Sequence, residues 1–126
     1  MKVKSSYNYN FQKQSQNIKF KSKAESIIAA FLANQKIRFI YEKSYRAHDG
    51  KRFLPDFYLP DYDLYIEFFG RLGEKEYNRK MAKKINYYQN ENLKTVYLYP
   101  NNISQLLGII IKIRFEQATG KTFPQR

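Results

Sequence analysis

Two carboxylates stand inside apolar, β-prone stretches that lie close together in the chain. Asp56 belongs to the run 55–59 (PDFYL), and Glu67 belongs to the run 64–70 (LYIEFFG). An unpaired carboxylate inside a buried strand is costly, because it gives up its hydration. The chain as a whole carries a formal net charge of +12. Two acids at matched positions in such a basic chain suggest a metal site that faces a polyanion.

The spacing of the two runs places both acids on one face of a β-hairpin. The second run must return antiparallel to the first, because only a short turn joins them. A turn tip at 61–62 puts Asp56 directly opposite Glu67. A tip at 60–61, which suits proline better, puts Asp56 opposite Tyr65 and diagonal to the other acid. Either register sets the carboxylates about 5 to 8 Å apart, which requires a divalent cation or a Lys or Arg partner for each acid.

The composition narrows the choice of metal. The chain has no cysteine and a single histidine, so a thiolate site is excluded and a zinc centre is disfavoured. A hard cation held by oxygens is expected instead, namely Mg²⁺, for which Mn²⁺ can substitute. Mg²⁺ needs only one or two protein carboxylates, because it keeps waters and binds phosphate oxygens. Such an ion can polarise a phosphodiester and generate hydroxide from bound water.

Size and charge indicate the partner and the compartment. The 126 residues include 23 Lys or Arg and 11 Asp or Glu, which favours one domain that binds nucleic acid. No apolar run reaches transmembrane length, and the basic N-terminus lacks the apolar core of a signal peptide. We therefore expect a soluble protein with no membrane partner. It should be cytoplasmic, nucleoid-associated if prokaryotic, and not secreted.

The sequence pattern predicts one α/β domain at residues 22–117, between a basic flexible arm (1–21) and a C-terminal tail (118–126). The predicted elements are a helix from 22 to about 35, strands at 37–41, 53–59 and 64–69, a helix at 74–91, a strand at 95–99 and a helix at 104–117. A hairpin turn is predicted at 48–51. The order α-β-β-β-α-β-α predicts a mixed central sheet flanked by helices.

These motifs resemble the PD-(D/E)XK nuclease superfamily, and in particular its small helicase-associated and very-short-patch-repair-like endonuclease domains. Pro55-Asp56 matches the first element of the superfamily signature, and 66–70 (IEFFG) matches the second. The resemblance covers about residues 22–100 and implies a restriction-endonuclease-like core. It also implies a Mg²⁺-dependent DNA endonuclease of DNA repair, recombination or junction resolution, with Asp56 and Glu67 as metal ligands.

The resemblance has one departure. The superfamily usually places a catalytic lysine two residues after the second acid, where this chain has Phe69. In some branches that lysine has moved to the following helix, which points here to Lys84, on one helical stripe with Tyr77 and Tyr88. Lys80 is the near rival, one turn away. A lysine at this place would orient the attacking water and stabilise the pentavalent phosphorus. The alternative is that Lys84 is an ordinary solvated helix lysine.

Glu25 has two interpretations. The superfamily often contributes a further acid from its first helix, and Glu25 occupies that place, as a metal ligand either directly or through water. Ser22 with Glu25 also has the form of a capping box, which explains the glutamate without a metal.

Further residues are expected to contact partners. The candidates for phosphate contacts are Lys21, Lys23, Lys51, Arg52, Arg71 and Lys80. The last helix is apolar around much of its circumference from Leu106 to Ile113, which favours a homodimer through that helix. Two other functions stay open, namely a nucleic-acid-binding module whose nuclease site has decayed, for which Phe69 argues, and an interaction subunit of a DNA-processing complex.

Overall fold

The structure, a computed structural model, describes residues 10–71 and 73–121, without the side chain of Gln12. Its helices and strands are, in chain order, α1 (Lys23–Asn34), β1 (Ile40–Tyr41), β2 (Tyr45–Arg46), β3 (Arg52–Phe53), β4 (Phe57–Leu59), β5 (Leu64–Phe68), α2 (Lys75–Asn90), β6 (Thr95–Leu98) and α3 (Leu106–Thr119). None of the helices in these ranges is long and apolar enough to cross a membrane.

The central sheet has four strands in the order β1-β4-β5-β6. β4 pairs antiparallel with β1 and with β5, whereas β5 and β6 are parallel. The parallel pair needs a crossover connection, and α2 supplies it. The predicted α/β class with a mixed sheet is therefore confirmed. The restriction-endonuclease-like core is a finer statement and stays a prediction.

The predicted strand 53–59 is wrong, because it is divided in two. β3 ends at Phe53, and β4 begins at Phe57 after Leu54-Pro55-Asp56. Proline has no N–H for a sheet ladder, which accounts for the interruption. β3 pairs instead with β2 in a separate two-stranded sheet. The turn of this hairpin is closed by the bond from the Ala47 N–H to the Lys51 carbonyl, 2.8 Å long, so the predicted turn at 48–51 is confirmed.

The predicted strand 37–41 is shortened to β1 at Ile40–Tyr41. The Ile37 N–H still bonds to the Leu32 carbonyl at the end of α1. The side-chain amide of Gln14 then donates to the Ile37 carbonyl and accepts from the Phe39 N–H, at 2.9 and 3.2 Å. A side chain from before the first helix thus takes the place of a neighbouring strand.

The hairpin between β4 and β5 adopts the first of the two possible registers. Phe57 lies opposite Ile66, and Leu59 lies opposite Leu64, so the tip of the turn is at 61–62. Arg38 fixes this tip, because its guanidinium pairs with Asp61 at 2.5 Å. The tip is thus held by contacts outside the hairpin, which the turn sequence alone does not show.

The core lies between the sheet and the helices. Fully buried side chains from α1, the hairpin and α3 form one cluster, which includes Ile28, Leu32, Phe57, Ile66 and Ile110. Ile18 and Phe20 pack against the same cluster. The packed part of the molecule therefore includes residues before 22, within the segment predicted as a flexible arm. The first part of that segment lies outside the described residues, as does the end of the predicted tail.

Candidate active site

The two carboxylates of the hairpin lie against each other. Glu67 is in β5, and Asp56 immediately precedes β4, where the register places it directly opposite Glu67. The Asp56 N–H donates to Glu67 Oε1 at 3.2 Å, and the Phe68 N–H donates to Asp56 Oδ2 at 2.7 Å. Both acids are almost fully buried, at 3% and 2% exposure. At this point of the hairpin, the two carboxylates therefore accept hydrogen bonds from backbone N–H groups. In a regular β-ladder, backbone carbonyls of the facing strand would accept such bonds.

Burial and mutual repulsion make both acids hard to ionise. Burial raises the pKa of Asp56, and the charge of Glu67 adds to this, so that the pKa reaches about 7 against an ordinary 3.8. Burial also raises the pKa of Glu67, although the neighbouring Lys84 ammonium opposes the rise. A pair of acids that is disfavoured as two anions is expected to attract cations.

Lys84 contacts the second acid. Its Nζ lies 2.7 Å from Glu67 Oε2, and the side chain reaches Glu67 from α2, the helix that follows β5. Lys80 lines the same cleft but forms no ion pair with either acid. Of the two lysines that the sequence left open, the structure therefore brings Lys84 to the carboxylates.

Phe69, at the usual lysine position of the superfamily, belongs to an aromatic cluster. Its ring stacks on Tyr97 and Tyr99 at centroid distances of 6.0 Å and meets Tyr77 edge-on at 6.4 Å. The Lys84 ammonium lies over the same ring, 5.9 Å from its centroid. A cation at this distance from an aromatic face is attracted to it. Phe69 thus supports the lysine that the resemblance placed on the helix.

Lys21 contacts the first acid. Its Nζ is 3.4 Å from Asp56 Oδ1 and 3.0 Å from Glu42 Oε2. Its backbone N–H donates to the Tyr41 hydroxyl at 3.1 Å, which fixes where the side chain begins. The sequence predicted Lys21 only as a phosphate contact and did not find Glu42. Only the packing of residues 18–20 against the core brings Lys21 here.

Glu25 belongs to the predicted helix cap, and its side chain also lies at the cleft. Its backbone N–H donates to Ser22 Oγ at 3.2 Å, so the helix cap exists. Its carboxylate, however, accepts a hydrogen bond from the Tyr41 hydroxyl and lines the cleft with Asp56. The cap therefore explains Ser22, whereas the buried carboxylate belongs to the surroundings of the site.

These residues surround one cleft of about 580 Å³. It is lined by Lys21, Ser22, Glu25, Asp56, Glu67, Phe68, Phe69, Gly70, Arg71, Tyr77, Lys80, Met81 and Lys84. Three of the six predicted phosphate contacts, Lys21, Arg71 and Lys80, are among them. Lys23, Lys51 and Arg52 do not line the cleft. Lys51 lies instead over the Tyr87 ring at 5.3 Å.

The donor set suits a particular kind of metal site. Within 10–71 and 73–121, no three His, Cys, Asp or Glu side chains are grouped so as to hold a metal ion. Glu25 is thus not placed as a third direct ligand. Asp56 and Glu67 fit a cation that takes two protein carboxylates and completes its shell with water and substrate oxygens, as Mg²⁺ does. A metal that needs three or four protein ligands does not fit.

Tyr88 is a neighbour of the site that the sequence analysis assigned only to a helical stripe. It is fully buried, and its hydroxyl has no hydrogen-bond partner within the described part of the chain. Burial raises the pKa of this hydroxyl, and the charges of Glu67 and Asp56 raise it further. Nothing in the sequence distinguishes this tyrosine from the eleven others.

Comparisons of the chain with protein-family models, with curated proteins and with solved structures give no match. The likeness to the PD-(D/E)XK superfamily therefore rests on the two short motifs and the order of elements. The function has to be argued from the geometry of the cleft.

Proposed function

We propose that this protein is a metal-dependent DNA endonuclease that hydrolyses phosphodiester bonds with Mg²⁺ or Mn²⁺. The observation that supports this most is the adjacent pair of buried acids, Asp56 and Glu67, which lines an open cleft. The pair weakens the fold, because two buried carboxylates repel each other. A cation bound between the two carboxylates and a substrate phosphate would offset this repulsion. The costly pair would then have a function.

Four residues of the cleft would then have a role in this reaction. Asp56 and Glu67 would hold the cation, which supplies Lewis-acid polarisation of the phosphodiester and an acidified water. Lys84 would hold its ammonium beside Glu67, where it can orient a water or stabilise negative charge on the phosphate. The Phe69 ring, whose centroid is 5.9 Å from the Lys84 ammonium, would favour this position of the lysine.

The rim of the cleft suits a nucleic-acid backbone. Arg71 and Lys80 line it with exposed cationic groups. The Arg71 guanidinium lies over the Tyr77 ring at 5.0 Å, which restricts its plane. Contacts of this kind bind phosphates without reading sequence, and they weaken steeply as salt is raised.

The direct test is an incubation of the purified protein with linear, nicked, flapped and four-way DNA, in Mg²⁺ and separately in Mn²⁺. We expect cleavage of at least one substrate. Asp56→Asn should abolish cleavage and retain DNA binding in a filter assay, whereas Asp49→Asn, in the exposed turn of the β2–β3 hairpin, should leave both unchanged. Intact DNA in every wild-type reaction would reject the endonuclease.

A second function, a DNA-binding module that does not cleave, is favoured by one observation. Each acid already has a lysine, Lys21 on Asp56 and Lys84 on Glu67, so the pair is neutralised without a metal. For this alternative, the protein would bind DNA in a salt-dependent way and show no affinity for Mn²⁺. A Mn²⁺ titration by calorimetry separates the two functions without relying on the choice of DNA.

We also propose a homodimer through α3. Leu107 and Ile111 lie one turn apart and are 42% and 48% exposed, while Leu106 and Ile110 are buried in the core. A second copy would cover this exposed pair. Leu107→Glu should shift a dimer to a monomer in sedimentation velocity, and a wild-type monomer at high concentration would reject the dimer.

A further inference from the structure

The two acids of the candidate site are neutralised unequally. Lys84 is 2.7 Å from Glu67, and its side chain is 38% exposed. Lys21 is 3.4 Å from Asp56, and its side chain is 58% exposed. Of the two lysines, Lys84 is thus the closer to its acid and the less exposed, and Lys21 is the more distant and the more exposed.

Lys21 also has a second partner of its own. Its ammonium lies 3.0 Å from Glu42, whose side chain is 30% exposed, so it is nearer to Glu42 than to Asp56. If Lys21 left Asp56, it would still be paired with Glu42. Because both of these groups reach solvent, such a change costs little.

Asp56 has no second cationic partner in the part of the chain that the structure describes. Its side chain is 4% exposed, and within the described residues the only other hydrogen bond to its carboxylate comes from the Phe68 N–H. An ionised Asp56 beside an ionised Glu67 therefore needs a cation on the cleft side. Lys21 is the group that meets this need in the structure.

We propose that Lys21 is an exchangeable counter-ion of Asp56, which pairs with the carboxylate in the metal-free protein and yields its position when a divalent cation binds. On leaving Asp56, Lys21 pairs with Glu42 and keeps its ammonium at the cleft, where an anionic substrate enters. This inference rests on the proposed function, because it requires a cation at Asp56 and Glu67. It makes Lys21 a positioning residue rather than a general surface cation.

The experiment compares Lys21→Gln with wild type in two measurements at pH 8, the affinity for Mn²⁺ by calorimetry and the melting temperature with and without Mn²⁺. Removal of a competing positive charge should tighten Mn²⁺ binding by about three- to tenfold. The metal-free variant should melt below wild type, and saturating Mn²⁺ should remove that difference. Lys23→Gln is the matched control, since Lys23 is exposed and does not line the cleft.

The outcomes separate the two proposals. Mn²⁺ binding that is equal or weaker in Lys21→Gln than in wild type, or a melting deficit that persists in saturating Mn²⁺, would overturn the exchange and leave the nuclease standing. A wild-type protein that binds no Mn²⁺ would overturn both. A merely structural Lys21 would lower the melting temperature equally with and without the ion.

Discussion

Replacing Lys84 by methionine tests whether Lys84 neutralises the acid pair. Methionine keeps most of the apolar stem that packs near Phe69 and removes only the ammonium. Glu67, whose side chain is 3% exposed, then loses the cation at 2.7 Å. Because Lys84 alone contacts Glu67 among the lysines of α2, no other group of the helix replaces it.

The size of the effect follows from the burial of the two partners. Removing one member of a fully buried ion pair costs about 3–5 kcal/mol, because the other charge is left uncompensated. Lys84 is 38% exposed, so solvent already screens part of the interaction and we expect a loss of about 2 kcal/mol. This is large compared with the effect of an ordinary surface substitution, which is within about 0.5 kcal/mol.

The loss of stability in Lys84→Met should depend on pH. The direction of this dependence follows from the structure. Burial raises the pKa of Glu67 in the folded protein, and without Lys84 the pKa rises further. The folded variant therefore holds a proton that the unfolded chain gives up, and its stability falls as pH rises through the folded pKa. The deficit relative to wild type should be largest at pH 8 and small near pH 4.

Urea denaturation at pH 4, 6 and 8 measures this deficit as a change in the free energy of unfolding. Lys80→Met is the matched control, because Lys80 lies on the same helix and lines the same cleft without contacting either acid. Equal losses for the two variants at pH 8, or a loss at Lys84 that does not change with pH, would refute the reasoning.

Three further predictions concern the same group of residues. Asp56→Asn should make the protein more stable than wild type at pH 8 by up to a few kcal/mol and equal to it near pH 4, because the pKa of Asp56 is raised to about 7; urea titrations check this. Glu25→Gln should lower the pKa of Asp56, since the charge of Glu25 helps to raise it, as carboxyl NMR shifts would show. Tyr88→Phe should raise the free energy of unfolding by about 1 kcal/mol, because the removed hydroxyl is buried and unpartnered, and a destabilised variant in thermal melts would contradict this.

The hairpin and the helix that bear the site follow local rules, which is why the sequence could predict them. The short turn between the two runs places Asp56 and Glu67 on one face in either of the two registers compared above. Helical periodicity places Lys84 on the stripe of Tyr88, and Tyr88 packs into the core. Because this stripe faces the sheet, Lys84 is expected to lie close to the two acids of the hairpin.

The remaining parts of the site depend on contacts between distant segments. At the hairpin tip, Arg38 pairs with Asp61, and the two residues are separated in sequence by the whole of the β2–β3 hairpin. The position of Lys21 depends on the packing of Phe20 and on the bonds of Gln14 to the chain after α1. Polar and basic composition between 1 and 21 indicates a flexible arm, and neither contact leaves a periodic pattern that would correct this.

The candidate site joins parts of the chain that are separated by different numbers of residues. The bond between Asp56 and Glu67 spans 11 residues, that between Lys84 and Glu67 spans 17, and that between Lys21 and Asp56 spans 35. Short antiparallel hairpins close quickly, whereas parallel pairing through a crossover helix is slower. We therefore expect the two acids to meet during folding before either lysine reaches them. Their repulsion should then add to the barrier to folding, and a pH near the ordinary pKa of the two carboxyls, where they begin to protonate, should speed the formation of the native protein.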